Sequence, residues 1–329
     1  MALNRFCSSG LMAVKAIAES IKAGSIDCGL AVGAESMSLS PDNGAGTISD
    51  SVSSHPLAAD ALQPMGWTSE NVAHDFNISR QKHDYYAATS FQRAEKAQKA
   101  GWFEDEIVPV ETVQKDPKTG EEKKVIVNKD DGIRYGTTQE SLGKIRQAFP
   151  QWGIGATTGG NASQITDGAA AVLLMRRSKA EELGQPIIAK YVHGVVIGLE
   201  PRIMGIGPAY AIPKLLGTVG LTKEDIDAFE INEAFASMLA YTIETLGLDY
   251  EKVNPKGGAI AFGHPLGATG ARYICLNYTG LIYRQVATGL AHLRRTKQKT
   301  LVTSMCVGTF HLYNFTHDRN RDGGGCIVH

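Results

Sequence analysis

The chain has 329 residues, 43% of them hydrophobic and 20% charged, with 33 Lys+Arg against 34 Asp+Glu and a formal net charge of −1. That composition excludes global disorder and lacks the basic footprint of a general nucleic-acid binder, so no nucleic-acid partner is expected. Glycine is the outlier at 36 residues, about 11% against a usual ~7%, and it has no collagen-like period. The five cysteines, Cys7, Cys28, Cys275, Cys306 and Cys326, form no CxxC pair, which argues against a disulfide scaffold or a zinc site. No apolar run approaches the ~18 residues of a membrane span, so no membrane association is expected, and no targeting signal is visible.

In chain order, residues 8–23 place Leu11, Val14, Ile17, Ala18 and Ile21 at helical spacing, with Gly24 as a stop. Cys28–Ser36 reads as a short buried strand, and Cys28 within it as structural. Pro41–Gly46 is a turn cluster. Ser69–Ala100 reads as two helices separated at Asn77–Ser79. Lys115–Lys129 is charge-dense and predicts a solvated hairpin around Val125–Val127. The Gly/Thr/Ser loop 153–168 leads into Ala169–Met175, a continuous apolar run expected of a strand buried on both faces. A helix follows at Arg176–Gly184 and a strand at Ile187–Gly198. Thr222 and Asp225 are spaced as a capping box. A short strand, Ala228–Ile231, ends at Asn232-Glu233. Next come a helix at Phe235–Leu246 closed by Gly247, a turn at Asn254–Gly258, and a late strand at Leu301–Met305. Strands feeding helices again and again predict a layered α/β protein, in which ligands gather at strand–helix junctions.

Four junctions carry chemistry-bearing residues. Cys7 precedes the first helix, whose unpaired N–H groups and partial positive charge would lower a thiol pKa and favour a thiolate nucleophile; a buried structural cysteine is the alternative. His264 lies in the Gly-rich turn Gly263-His-Pro-Leu-Gly267, the setting of a general base. Cys306 ends the late strand. Asn232 could orient a water or a polar carbonyl, or simply cap the following helix. Together two Cys, one His and one Asn point to thiol-based acyl transfer, with the second thiol handling a proton.

The stretches NRFCSSGLMAV around Cys7, GAESMS, PMGWTSENVA, GNASQITDGAA, MGIGPAYAIP, EINEAFA, NPKGGAIAFGHPLGATGAR and TSMCVGT resemble the thiolase family, in family order over residues 4–309. The resemblance is to the degradative 3-ketoacyl-CoA thiolases of peroxisomes and mitochondria. It implies two related α/β halves in a five-layered α-β-α-β-α arrangement. Residues 1–37 and 164–188 would be the remainder of the N-terminal half, 38–163 a loop lobe covering CoA and substrate, and 189–329 the C-terminal half. It also implies thiolytic cleavage of a 3-ketoacyl-CoA through an acyl-Cys7 intermediate. His264 would take the Cys7 proton and Cys306 would protonate the acetyl-CoA carbanion. One oxyanion hole would use His264 with an Asn232-held water, the other the backbone N–H groups of Cys7 and Gly308. Met65, Ser163 and Phe235 would line the pantetheine tunnel. Coenzyme A would be a co-substrate, with no bound cofactor or metal, and the assembly a homodimer or tetramer in the peroxisome or mitochondrion.

Three departures from the family pattern carry expectations of their own. Only six residues precede Cys7, so the first half is expected to be incomplete. Residues 273–284 interrupt the run from GATGAR to QVATGL; twelve residues are about 3.3 helical turns, a rotation of about 120°, so a looped-out segment or disturbed helix is expected. Arg272 and Arg284 bracket the segment like a duplicated junction, as a retained intron would. Residues 310–329 diverge from the family, with Phe310 where a glycine is usual. These departures keep two alternatives open beside the active enzyme: a catalytically incompetent fragment that binds acyl-CoA or a partner, and a biosynthetic acetoacetyl-CoA thiolase.

Overall fold

The structure, a computed structural model, describes residues 1–39, 48–104, 106–116, 118–272, 288–306, 309–314 and 326–328, the last two segments as backbone only. The turn cluster at 41–46, the inserted 273–284 segment and Gly308 lie outside the described residues.

The first helix, α1 (Ser9–Lys22), buries Leu11, Val14, Ala18 and Ile21, the stripe expected from the sequence, and ends before Gly24 at φ +74°. It leads into β1 (Cys28–Ser36). Helices α2 (Met65–Asp75) and α3 (Arg80–Lys99) are separated at Asn77, which takes φ +55°, and the Ser79 side chain caps α3 by accepting from the Lys82 N–H. Strands β2 (Val110–Lys115) and β3 (Glu122–Val127) pair as an antiparallel, almost wholly exposed hairpin, matching the solvated hairpin that the charge density predicts. The central elements follow as β4 (Asp167–Arg176), β5 (Ala189–Val196), α4 (Gly207–Val219), β6 (Ala228–Ile231) and α5 (Ala236–Leu246). The chain continues through α6 (Leu266–Arg272), α7 (Thr288–Thr296), β7 (Thr300–Met305), β8 (Thr309–Asn314) and β9 (Cys326–Val328).

Seven strands form one sheet in the order β1-β4-β9-β5-β8-β7-β6. Only the β6–β7 pair is parallel; the other pairs are antiparallel. The two strands at one end of the sheet are nevertheless wholly covered: every residue of β6 and β7 is buried. Although residues 310–314 diverge in sequence, they supply most of β8, which pairs with both β5 and β7. Backbone hydrogen bonding needs no particular side chain, so a divergent segment can still complete a ladder.

The expectations that Cys28–Ser36 is a buried strand and Ala169–Met175 a strand buried on both faces are corrected. Leu30 pairs with Leu173 and Val32 with Ala171, and this face of the β1–β4 pair is open: Leu30 is 57% and Val32 52% exposed. Helices α1 and α6 cover the opposite face, where Ala31, Gly33, Ala170, Val172 and Leu174 are buried. Cys28, at the end of β1, is exposed. An unbroken apolar run records which side chains could be covered, not which are covered. Among the described residues no helix is long and apolar enough to cross a membrane.

Candidate active site

The site forms where α1, α6 and the carboxyl ends of β6 and β7 meet. Parallel pairing sets Ile231 opposite Ser304, so the residues that follow, Asn232 and Cys306, emerge side by side. The Asn232 backbone N–H donates to the Ser304 carbonyl at 2.9 Å and fixes that exit. Ligands collect beyond the carboxyl ends of parallel strands for this reason.

Cys7 is delivered by a strained turn. Phe6, immediately before it, takes φ +49°, a region that costs a non-glycine residue about 1–3 kcal/mol. Three contacts hold it: the Phe6 N–H donates to Asn4 Oδ1 at 2.8 Å, and its carbonyl accepts from the Ser9 N–H at 3.0 Å and from Ser9 Oγ at 2.7 Å. The result is a buried thiol just ahead of α1.

His264 is delivered by the turn between a short helix, Ala259–Phe262, and α6, rather than by the strand–helix turn expected from the sequence. Gly263, at φ +96°, turns the chain so that the His264 N–H donates to Thr166 Oγ1 at 3.1 Å. A β-carbon on Gly263 would lie 2.4 Å from that oxygen. Helix α6 then approaches α1 and β1 through glycines: a β-carbon at Gly10 or Gly33 would lie 2.6 or 2.5 Å from the Gly267 carbonyl oxygen. Part of the glycine excess is therefore the means by which the helices that follow Cys7 and His264 come together.

Four of the five expected catalytic residues converge, the fifth, Gly308, lying outside the described residues. Cys7, His264 and Cys306 offer sulfur and ring-nitrogen atoms that all lie within 4.8 Å of one another, and all three are buried. Asn232 Nδ2 is 3.2 Å from His264 Nε2 and 3.4 Å from Cys306 Sγ, so one side-chain amide addresses both. On the far side of the imidazole, Nδ1 lies 2.6 Å from Thr269 Oγ1. An amide NH2 only donates, so Nε2 accepts and the ring proton sits on Nδ1, facing Thr269.

The electrostatics correct one expectation. The Cys7 thiol is not lowered by the helix start; it is raised well above its ordinary value, first by its hydrogen bond to Cys306, then by burial and by the Cys306 charge. Cys306 is held well below the ordinary thiol value by the same hydrogen bond from Cys7, aided by His264 and Asn232, against the cost of burial. Two thiols sharing one hydrogen bond in a buried site cannot both ionise readily. The amide and imidazole contacts favour the charged form at Cys306 over Cys7.

The residues expected along the pantetheine tunnel fall in one neighbourhood beside this centre. The Ser163 N–H donates to the Ala234 carbonyl at 2.9 Å, and Ala162 bridges to Phe235. Met65 opens α2 and is 42% exposed. Helix α2 is tied to the same place, because Ser69 Oγ lies 2.9 Å from Thr157 Oγ1 and 2.8 Å from Ser237 Oγ.

Several supporting residues escaped the sequence reading. The buried Glu70 carboxylate accepts backbone N–H groups from Ile154, Gly155, Ala156 and Thr157 at 2.5–3.2 Å and organises the Gly/Thr loop. The Glu233 carboxylate, seen in the sequence only as a neighbour of Asn232, accepts from Ser90 Oγ at 2.6 Å, Asn254 Nδ2 at 2.7 Å and the Ile260 N–H at 3.3 Å. It thereby locks the Asn232 turn to the segment leading into His264. Behind the site, Lys256 Nζ lies 4.0 Å from Glu106 in a fully buried group, and burial pushes Glu230 on β6 up to about 8. A lone Glu, Lys or Thr carries no local signal of such a role; the Glu that directly follows Asn232 was the one available hint.

Residues 1–178 match the family model for the thiolase N-terminal domain and residues 185–311 that for the thiolase C-terminal domain. A peroxisomal 3-ketoacyl-CoA thiolase of Yarrowia lipolytica is 54% identical over 310 residues, 94% of this chain and 71% of the relative. The crystal structure of the dimeric peroxisomal thiolase of Saccharomyces cerevisiae superposes with a TM-score of 0.82 at 47% identity, covering 96% of this chain and 76% of that one. Human mitochondrial 3-ketoacyl-CoA thiolase in complex with CoA gives 0.79 at 34% identity, covering 95% and 77%. With both family models matched in order, and with relatives at this identity and coverage, the chain belongs to the thiolase family.

Proposed function

We propose that this chain cleaves 3-ketoacyl-CoA thioesters with coenzyme A, yielding acetyl-CoA and an acyl-CoA shortened by two carbons. The observation that carries the reading is the convergence of two thiols and an imidazole within 4.8 Å in a buried site. The names of the relatives supply the substrate class, and their peroxisomal descriptions extend the reading to fatty-acid β-oxidation in the peroxisome.

Cys7 is the nucleophile. Its proton leaves toward the His264 Nε2 lone pair, which the Nδ1–Thr269 contact keeps available. The thiolate attacks the 3-keto carbon. The bond between C2 and C3 breaks, and the departing acetyl-CoA carbanion takes its proton from Cys306, which receives it from Cys7 by way of His264. Coenzyme A then attacks the acyl-Cys7 thioester and releases the shortened product, which makes the kinetics ping-pong. His264 with an Asn232-held water serves one oxyanion, and the backbone N–H groups of Cys7 and Gly308 the other; losing one such donor typically costs about 10²–10³ in rate. Met65, Ser163 and Phe235 contact the pantetheine arm. The active form is a homodimer, or a tetramer built from it, and the boundaries at 37/38, 163/164 and 188/189 separate the lobe over the substrate from the two halves.

A second reading, a chain that keeps the site but does not turn over, draws on the open apolar face of the β1–β4 pair. Thiolysis of acetoacetyl-CoA and of a longer 3-ketoacyl-CoA separates the two. CoA-dependent loss of substrate that disappears in Cys7→Ser supports the enzyme. Folded, dimeric protein with no such activity overturns it. A preference for acetoacetyl-CoA alone would move the chain to the biosynthetic branch.

A further inference from the structure

We infer that Cys7, Cys306 and His264 together form a binding site for a thiophilic divalent cation of the Zn2+ class, whose occupation silences the thiol chemistry. Among the described residues this is the one group of three or more His, Cys, Asp or Glu side chains gathered closely enough to hold a metal ion. Two sulfurs and one imidazole nitrogen are a Cys2His donor set, which with one open position is a known zinc arrangement. Tetrahedral Zn–S and Zn–N distances of about 2.3 and 2.0–2.1 Å set the donor atoms about 3.6–3.8 Å apart, so donors that lie within 4.8 Å of one another need to close by about 1 Å at most.

Two further observations point the same way. The His264 ring already has its Nδ1 engaged by Thr269 at 2.6 Å, which leaves Nε2 for a metal to take in place of its 3.2 Å contact with Asn232 Nδ2; a metal-bound histidine nearly always has its second nitrogen held in this manner. Asn232 Nδ2 reaches Cys306 Sγ at 3.4 Å and supports a sulfur carrying negative charge. The donor set is soft and buried, so it selects Zn2+ or Cd2+ over Mg2+ or Ca2+, which prefer oxygen.

Binding forms two metal–sulfur bonds and one metal–nitrogen bond, and the Cys7 S–H proton passes to solvent. The Cys7 sulfur pair that would attack a carbonyl is then committed to the metal. Occupation must therefore be competitive with acylation, pH-dependent in the direction of tighter binding at higher pH, and reversed by a chelator.

The experiment uses Co2+ as a spectroscopic probe on the full chain with Cys28, Cys275 and Cys326 replaced by serine, so that the site's two thiols are the only ones left. The expected result is one equivalent of Co2+ with thiolate-to-cobalt charge-transfer bands and tetrahedral d–d bands, displaced by Zn2+. The charge-transfer intensity should fall by about half in Cys7→Ala, by about half in Cys306→Ala, and disappear when both are replaced, with the fold checked by circular dichroism. Thr269→Val should weaken Zn2+ affinity by about 10–100-fold. Absence of thiolate bands, or bands unchanged by both cysteine substitutions in folded protein, overturns the inference. Because the readout is spectroscopic, Co2+ binding through both cysteines would stand even if the chain cleaved no 3-ketoacyl-CoA, and thiolysis untouched by Zn2+ would sink only the metal site.

Discussion

Thr269 Oγ1 lies 2.6 Å from His264 Nδ1, on the side of the imidazole away from Cys7 and Cys306. Both residues are buried, so water cannot replace the hydroxyl if it is removed. Thr269→Val keeps the shape and deletes the acceptor. An unsatisfied buried polar group costs about 1–3 kcal/mol, so kcat should fall by about 10–100-fold. KM should change little, and Thr269→Ser should restore most of the rate. A Thr269→Val enzyme with wild-type kcat would show that the ring is oriented by other means.

The shared hydrogen bond between the thiols predicts how each responds to loss of the other. Cys306 is the first cause of the raised Cys7 pKa. In Cys306→Ala that cause is gone, so the Cys7 pKa falls toward the ordinary thiol value, with burial still holding it above. A larger thiolate fraction at a given pH means faster reaction with iodoacetamide at Cys7, and a pH–rate profile displaced to lower pH. Displacement to higher pH would contradict the assignment of charge to Cys306.

Gly10 on α1 faces the Gly267 carbonyl of α6 so closely that a β-carbon would sit 2.6 Å from its oxygen and 2.8 Å from Ala271 N. Both are backbone atoms, which cannot rotate away. Gly10→Ala should destabilise the protein by about 1–3 kcal/mol through overpacking. It should also separate the helices that follow Cys7 and His264, lowering kcat by as much as about 10²-fold, the typical effect of an ångström of misplacement. Thermal unfolding and steady-state kinetics on the same sample test both; an unchanged kcat would show that the approach of the helices is not what sets the catalytic distance.

His83 on α3 is fully buried, and burial, with the neighbouring Arg80, brings its pKa down to about 4 from an ordinary 6.5. The folded state therefore holds the neutral imidazole, while the unfolded chain takes up a proton below about 6.5. Between those values the unfolded state binds more protons, so stability falls as pH drops through the interval, by up to about 3 kcal/mol at its lower end. Urea titrations from pH 7 to 4 should show this slope, and His83→Leu should flatten it. An equal slope in the variant would place the acid sensitivity elsewhere.

How much was legible differs element by element. The α1 stripe, the break at Asn77–Ser79, the β2–β3 hairpin and the strand ending at Asn232 were all readable, because periodicity, turn residues and charge density are local properties of the chain. Cys7, His264, Cys306 and Asn232 stood out as chemistry-bearing residues within characteristic motifs, but the expected strand–helix junction holds for Asn232 alone: His264 lies between two helices and Cys306 between two strands. Three things were not legible. Local patterning could not tell that the apolar β1–β4 pair has one open face, since coverage depends on what packs against it. It gave the wrong direction for Cys7, because a helix start is a nearby, screened influence while Cys306, some 300 residues away in sequence, is a direct hydrogen-bond partner. Nor could it find Thr269, Glu70 or the Glu233–Ser90–Asn254 lock, whose roles exist only where distant segments meet. Residue types and their order along the chain thus determined the fold class and the chemistry on offer. Tertiary packing alone decided which thiol carries the charge and which groups hold the imidazole, because hydrogen bonding and desolvation act through space over a few ångströms, whatever the separation in sequence.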